Sequence, residues 1–281
     1  MRVLFYLASI LPLRLARRII RGVLKIIPFQ MLTSFKITHI NIQIAFEELS
    51  DKEQLDLAKR SFVETVCSAY ETMFSLSRPP SSISKNIVRV DNRFLMSEAL
   101  KKKDGLILSG MHNKSIDMLL QWVNCQTATV GLYKPIKNKF VDVYVRARRE
   151  QMANKIFPTS YQGVKELFKA ISKQQVILMG SDQVPKEGMG EYALFFNREA
   201  YTTTLIPSLA TKTGKTLIYS ALCRGSGDSL KIIMKESSGA ASAQSMNSAM
   251  EEIIKKNPED YSWEYKRFKK PPEGTLNPYN I

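Results

Sequence analysis

Cysteine and histidine are scarce in this chain: its 281 residues hold three Cys and two His. Cys67, Cys125 and Cys223 lie far apart and form no Cys-x-x-Cys, which excludes a disulfide framework and a cysteine-rich zinc site. A reducing, cytoplasmic setting for the main body follows as the default. With only His39 and His112 available and no His-Glu-x-x-His, no metal is expected, and only an all-carboxylate Mg²⁺ site stays open. Long apolar runs are missing too. Residues 3–13 are mostly apolar, but a bilayer span needs about 20 residues. No internal repeat, low-complexity tract or clear linker divides the sequence. Acidic residues are absent before Asn41, where seven cationic ones stand: Arg2, Arg14, Arg17, Arg18, Arg21, Lys25 and Lys36.

What is present is positive charge, a formal net +15. It calls for an anionic partner: nucleic acid, an acidic membrane surface, or a phosphorylated substrate or carrier. The N-terminus separates these. Over residues 13–27, Ala16, Ile19, Ile20, Val23, Leu24 and Ile27 recur at helical spacing, with Arg14, Arg17, Arg18, Arg21 and Lys25 largely on the other side. That pattern predicts a basic amphipathic helix lying in a membrane interface. A helix docked on its own domain is the competing reading. A cleaved signal peptide fits poorly, because the charged n-region is one Arg and no small-x-small site follows. The cations alternate with aliphatic residues rather than stacking aromatics, which argues against nucleic acid as the partner. Residues 1–30 therefore read as a membrane-anchoring segment and 31–281 as one catalytic domain.

Beyond residue 50 the pattern alternates. A helix over 51–76 opens with Ser50 as N-cap and Glu53 three residues on. Residues 77–84 read as a Pro/Ser turn. Helices are predicted over 92–103, 139–152, 163–172, 203–213 and 243–256. Strands are predicted over 106–108, 127–132, 175–180 and 192–196, with 216–223 and 230–234 as a pair. Strands alternating with helices predict an α/β fold with a mostly parallel central sheet flanked by helices.

One stretch carries chemistry. Leu106 to Leu108 suits a buried strand, Gly110 marks the turn out of it, and His112 and Asp117 follow at a helix start. A carboxylate there can accept from one imidazole nitrogen and leave the other free as a base. That suffices to deprotonate a hydroxyl for attack on an acyl group. A lone His at a strand end is also an ordinary structural residue, so this motif does not decide alone. Gly214-Lys215-Thr216 suggests a phosphate loop, but the Gly required five residues earlier is Leu209.

Further motifs follow in order. Asn41-Ile-Gln-Ile-Ala-Phe-Glu47, the His112-x4-Asp117 pair, Tyr133-Lys-Pro135, Arg146-Ala-Arg148 and Asp182-Gln183 come first. Phe195-Phe-Asn-Arg-Glu-Ala200, Thr202-Thr-Thr204, Pro258-Glu-Asp-Tyr-Ser-Trp263 and Lys266-Arg-Phe-Lys269 complete the set. In this order the chain resembles the bacterial late acyltransferases of lipid A biosynthesis, the lauroyl/myristoyl transferase type, within the wider glycerolipid-type acyltransferases. The resemblance runs from about residue 10 to about residue 273. It departs at Lys114-Ser-Ile-Asp117, where the family usually has Gly-Asn-Trp-Glu, and at Lys134, which replaces an Arg and loses its bidentate geometry.

The resemblance implies a glycerolipid acyltransferase-like fold and acyl transfer from a carrier thioester to a hydroxyl of a lipid A precursor. His112 would be the base, with Asp117 holding its tautomer. Arg146, Arg148 or Arg149 would meet the oxyanion or a phosphate of the acceptor, Asp182 would orient an Arg or the substrate, and Lys134, Arg198 and Thr203 would contact substrate. It also implies no cofactor, acyl carrier protein as donor carrier with coenzyme A as the alternative, an anionic lipid acceptor, and a place at the cytoplasmic face of the bacterial inner membrane. The rival expectations are acylation of a lysophospholipid, an amino-acid lipid or another glycolipid, and a non-catalytic protein that binds membrane or lipid.

Overall fold

The computed structural model describes residues 2–280, without the side chains of Arg2 and Leu4. The Arg2 cation counted above therefore lies outside the described residues. Five helices come first: α1 (Arg2–Ala8), α2 (Leu13–Leu24), α3 (Thr33–Ala45), α4 (Asp51–Ser77) and α5 (Pro80–Ser84). The alternating part then runs β1 (Ile87–Asp91), α6 (Arg93–Lys102), β2 (Leu106–Gly110), α7 (Ile116–Asn124), β3 (Thr129–Tyr133), α8 (Lys139–Arg149) and β4 (Lys155–Pro158). It continues with α9 (Tyr161–Ser172), β5 (Val176–Gly180), β6 (Gly190–Phe195), β7 (Arg198–Thr203), α10 (Leu205–Thr213), β8 (Thr216–Arg224), β9 (Leu230–Glu236) and α11 (Ala243–Lys256).

Seven strands form one sheet in the order β1-β9-β8-β2-β5-β3-β4. Only the β8–β9 pair is antiparallel. The mostly parallel α/β sheet expected from the alternation is present. Strand β2 is central and buried along its whole length, as a strand covered on both faces must be. Its Leu106 and Leu108 enter the core beneath α6 and α7, while Ile107 enters the core beneath α9, α10 and α11. The strands β6 and β7 form a separate antiparallel hairpin against α11.

The long helix α4 starts as the sequence predicts. Ser50 accepts from the Glu53 N–H and Glu53 answers at the Ser50 N–H, a capping box worth about 1 kcal/mol. Several local elements escape the sequence reading, strands β1 and β7 among them. Residues 77–84 contain α5, started by Pro79 at the cap and Pro80 at the first helical position, where its missing N–H costs nothing. Strand β4 is only four residues long, and α3 carries little amphipathic signal because both its flanks touch protein.

Helix α2 forms, but its faces differ from the expected split. Leu13, Ala16 and Arg17 are buried, whereas Leu15, Ile19 and Val23 are each 46% exposed. Arg17 and Arg21 turn inward because α4 offers two buried acids, Glu64 and Glu71. The expectation that the cations lie opposite the docked face fails for these two residues. Arg14, Arg18 and Lys25 remain exposed. Among the described residues no helix is long and apolar enough to cross a membrane.

Candidate active site

Strands β2 and β5 pair in register, with Gly110 opposite Gly180. Their continuations leave the sheet side by side, so residues two beyond each glycine become neighbours although 70 positions separate them. Those residues are His112 and Asp182. The His112 Nδ1 lies 2.6 Å from Asp182 Oδ1, and the His112 backbone N–H donates to Asp182 Oδ2 at 2.9 Å. One carboxylate thus fixes both the ring and the backbone of His112. Gly180 makes room for the ring, since a Cβ there would sit 2.8 Å from His112 Cε1. The hydroxyls of Ser109 and Ser181 bond to each other at the strand ends.

The loop carrying His112 is held from several sides. Met111 N–H donates to the Ser220 carbonyl of β8, and Ser262 N–H donates to the His112 carbonyl. Lys114 N–H donates to the Asp260 carbonyl, and Asn113 forms a β-bridge with Tyr261. Asp182 is 3% exposed, while 26% of the His112 side chain reaches solvent. The outward nitrogen is Nε2, 3.3 Å from Gln183 Nε2.

Burial alone would lower the His112 pKa, but the adjacent Asp182 charge and its hydrogen bond, with smaller help from Glu264 and Asp117, raise it above the ordinary value. Burial pushes the Asp182 carboxyl the other way, yet His112 and the backbone N–H bonds hold it below its usual range. An ionised acid locks the Nδ1–H tautomer and leaves Nε2 as the open basic nitrogen.

Asp117 is not the partner of His112. It is buried and takes a bidentate pair from Arg149, Nε to Oδ1 at 2.6 Å and Nη2 to Oδ2 at 2.9 Å. It sits in the first turn of α7, whose Ser115 cap accepts from Met118 N–H. The expected His112–Asp117 contact is therefore replaced by two pairs, His112–Asp182 and Asp117–Arg149. The cause is topological, since the parallel register brings Asp182 to the Nδ1 edge while α8 supplies a guanidinium to Asp117.

Residues 2–270 match the family described as bacterial lipid A biosynthesis acyltransferase. The chain belongs to that family. It is 25% identical over 255 residues to the lipid A biosynthesis lauroyltransferase of Escherichia coli (strain K12), covering 87% of this chain and 82% of that protein. It is 22% identical over 250 residues to the lipid A biosynthesis palmitoleoyltransferase of the same organism, covering 85% and 80%. A lipid A biosynthesis acyltransferase of Shigella flexneri matches at the same identity and coverage.

As a member of the lipid A biosynthesis acyltransferase family, the chain brings together some of the residues singled out from sequence and scatters others. His112, Asp182, Asp117 and Arg149 converge. Arg146 is half exposed and pairs with Glu150 one turn on, and Arg148 donates to the Arg78 carbonyl. Lys134 is exposed just after β3. Arg198 and Thr203, expected to contact substrate, lie at the two ends of β7. Arg198 donates to the Leu276 carbonyl and lies over the Phe268 ring, and Thr203 ends β7, accepting from Leu205 N–H.

Two groups near His112 are missed by sequence reasoning. Glu264, bonded by Thr65 Oγ1 at 3.0 Å, is raised by burial and interacts electrostatically with His112. The second is the surroundings of Lys114. Its backbone adopts φ +51°, a conformation costing about 1–2 kcal/mol for a non-glycine residue. Its ammonium lies fully buried, 2.5 Å from Glu64 Oε2 and 3.2 Å from Glu71 Oε1. Glu64 and Glu71 are seven residues apart, so they share the buried stripe of α4 with Leu57, Ser61 and Phe74. Two acids on an inward helical stripe are the signal that could have located this cluster. Among the described residues no group of three or more His, Cys, Asp or Glu is placed to hold a metal.

Proposed function

We propose that the protein transfers a fatty acyl chain from a carrier thioester to a hydroxyl of a lipid A precursor. The carrier is acyl carrier protein, and the reaction takes place at the cytoplasmic face of the bacterial inner membrane. The observation that carries the reading is the His112–Asp182 pair, which leaves Nε2 open in a chain of this family. His112 Nε2 takes the proton of the attacking hydroxyl as its oxygen adds to the thioester carbonyl. The tetrahedral intermediate collapses with cleavage of the C–S bond. The leaving thiolate recovers the proton from the imidazolium, which Asp182 stabilises meanwhile. No residue is acylated. Asp117 and Arg149 form a neutral buried pair at the start of α7. Arg146, half exposed, meets the developing oxyanion or an acceptor phosphate.

Surface chemistry supports a membrane-bound acceptor. Val3, Leu7 and Ile10 on and after α1, with Leu15, Ile19 and Val23 on α2, are exposed apolar side chains beside the exposed cations Arg14, Arg18 and Lys25. Phe140 and Val143 of α8 add to this, 79% and 68% exposed. Phe5 packs against Tyr144, so α1 and α8 are neighbours. Apolar side chains rimmed by cations suit an anionic leaflet, each cation near it contributing about 1 kcal/mol.

The test is lipid mass spectrometry on a producing strain, comparing the native protein with His112→Ala. A lipid A species should gain one acyl mass with the native protein alone. Gain by another lipid would displace the named acceptor, and no change in any lipid would favour a non-catalytic lipid-binding protein. Activity retained in purified His112→Ala would remove His112 as the base.

A further inference from the structure

Beneath the site lies an ionic cluster that the mechanism above does not use. Lys114 sits two residues after His112 and points away from it into the protein, where its ammonium is sealed from solvent between Glu64 and Glu71 of α4. The same two carboxylates hold helix α2. Arg21 Nε donates to Glu64 Oε1 at 2.8 Å, and Arg17 Nε lies 3.4 Å from Glu71 Oε1. Arg17 is buried and donates through Nη1 to the Asp228 carbonyl at 2.7 Å. Arg17, Lys114, Glu64 and Glu71 are each at most 3% exposed in the side chain, and Arg21 closes the rim at 22%. Two acids are thus shared between the loop that bears the base and the helix whose outer flank is apolar.

The loop needs such an anchor. Lys114 occupies left-handed backbone space that lysine does not favour on its own. Besides the backbone bonds to Ser220, Asp260 and Ser262, two side chains tie this turn to α4: Lys114 through Glu64 and Glu71, and Ser115 through its hydroxyl bond to Thr72 at 2.8 Å. A buried charge of this kind is strongly held only while its partners stay in place.

We propose that Lys114 is a positioning residue for His112, and that docking of α2 on Glu64 and Glu71 and alignment of the base are one event. Loss of Lys114, or of the α2 cations that share its carboxylates, lets the turn relax and draws the imidazole away from Asp182. The inference rests on the reading of His112 as the base.

The chain's two histidines make the test direct. In a His39→Gln background the single remaining imidazole is followed by NMR as a function of pH. The charged groups acting on it are Asp182, Asp117 and Glu264, with Arg149 on Asp117 and Arg267 acting on Asp182. In Lys114→Met and Lys114→Gly the His112 titration should fall by about half a pH unit or more, because the bond to Asp182 loosens. Removing a nearby cation through space alone would move it upward, so the sign separates repositioning from plain electrostatics. Lys114→Gly also relieves the backbone strain, so a fall there assigns the effect to the ammonium. In parallel, kcat should drop about tenfold or more with the acceptor KM within about twofold. Should the Lys114 variants fail to unfold cooperatively, Arg21→Met, which alters only the rim, should show a smaller fall of the same sign. A titration unmoved or raised in folded variants overturns the proposal. If the native protein transfers no acyl group, the functional reading fails, and the titration still decides this one.

Discussion

His112 and Lys114 stand two residues apart on one turn, yet their side chains enter regions built on opposite terms. The His112 side holds one tight pair and an open nitrogen, a quarter exposed. The Lys114 side holds Glu64 and Glu71 with Lys114 and Arg17 sealed from water, Arg21 at the rim, and Arg224 reaching Glu64 from the surface at 3.5 Å. In the closed region the charges are held by close ion pairs, although the Glu71 carboxylate and Arg17 Nε make no hydrogen bond, and the result is position. In the open region His112 Nε2 meets only the Gln183 amide at 3.3 Å and faces solvent.

Substitutions can break this contrast in graded steps. The largest effect falls on the open side. His112→Ala should lower turnover about 10³-fold or more, while the thermal midpoint moves little because the ring is partly exposed. Next is Asp182→Asn, which keeps the shape but loses the charge. Turnover should fall about 10²-fold. The base must be neutral to act, and its raised pKa places the acid limb of the kcat/KM profile above about pH 6.5. Asp182→Asn should move that limb to lower pH. Asp117→Asn should leave the limb nearly in place, and the reverse ranking would restore Asp117 as the partner.

The closed side should respond in stability. Burial opposes ionisation of Glu64, but Lys114 and Arg21 outweigh it and hold the carboxyl down to about 2. A depressed carboxylate stabilises the fold above its unfolded value of about 4.5, and that stability is lost as pH falls toward 2. Glu64→Gln should therefore lower the thermal midpoint at pH 7 and flatten its decline below about pH 4.5. A decline as steep as in the native protein would mean that Glu64 is not the group responsible. The smallest effect is expected at the cysteines. Cys67 is buried with its thiol pushed up to about 11, and Cys223 is raised by burial as well. Serine at each of the three positions should leave turnover per folded molecule unchanged. Loss at one of them without unfolding would point to a thiol intermediate.

Sequence periodicity is enough to read the sheet-forming alternation, the capping box of α4 and the β8–β9 pair, because these rest on short-range patterns. His112 is legible from the strand-turn-helix context around it. Its partner is not, because Asp117 lies close in sequence while Asp182 comes close only through the register of two parallel strands. The Asp182-Gln183 pair after a strand does mark that position as functional, without saying which group it would meet. The inward turn of Arg17 and Arg21 is likewise invisible in α2 itself, since the acids that draw them lie on another helix. Arg198 and Thr203 carry a motif signal, yet their contacts are with the backbone at Leu276 and Leu205.

The buried Asn41 of α3 donates to the carbonyls of Trp263 and Tyr265 and bonds the Tyr279 hydroxyl. The turn bearing the base meets the same segment at Asp260, Tyr261 and Ser262. This stitching fixes an order of events during synthesis. Helices α1 and α2 are made before the sheet, whereas the turn of His112 stays unsupported until residues 260–279 have been made. A nascent chain that ends after β9 holds every strand of the sheet but not the segment that fixes the turn of His112.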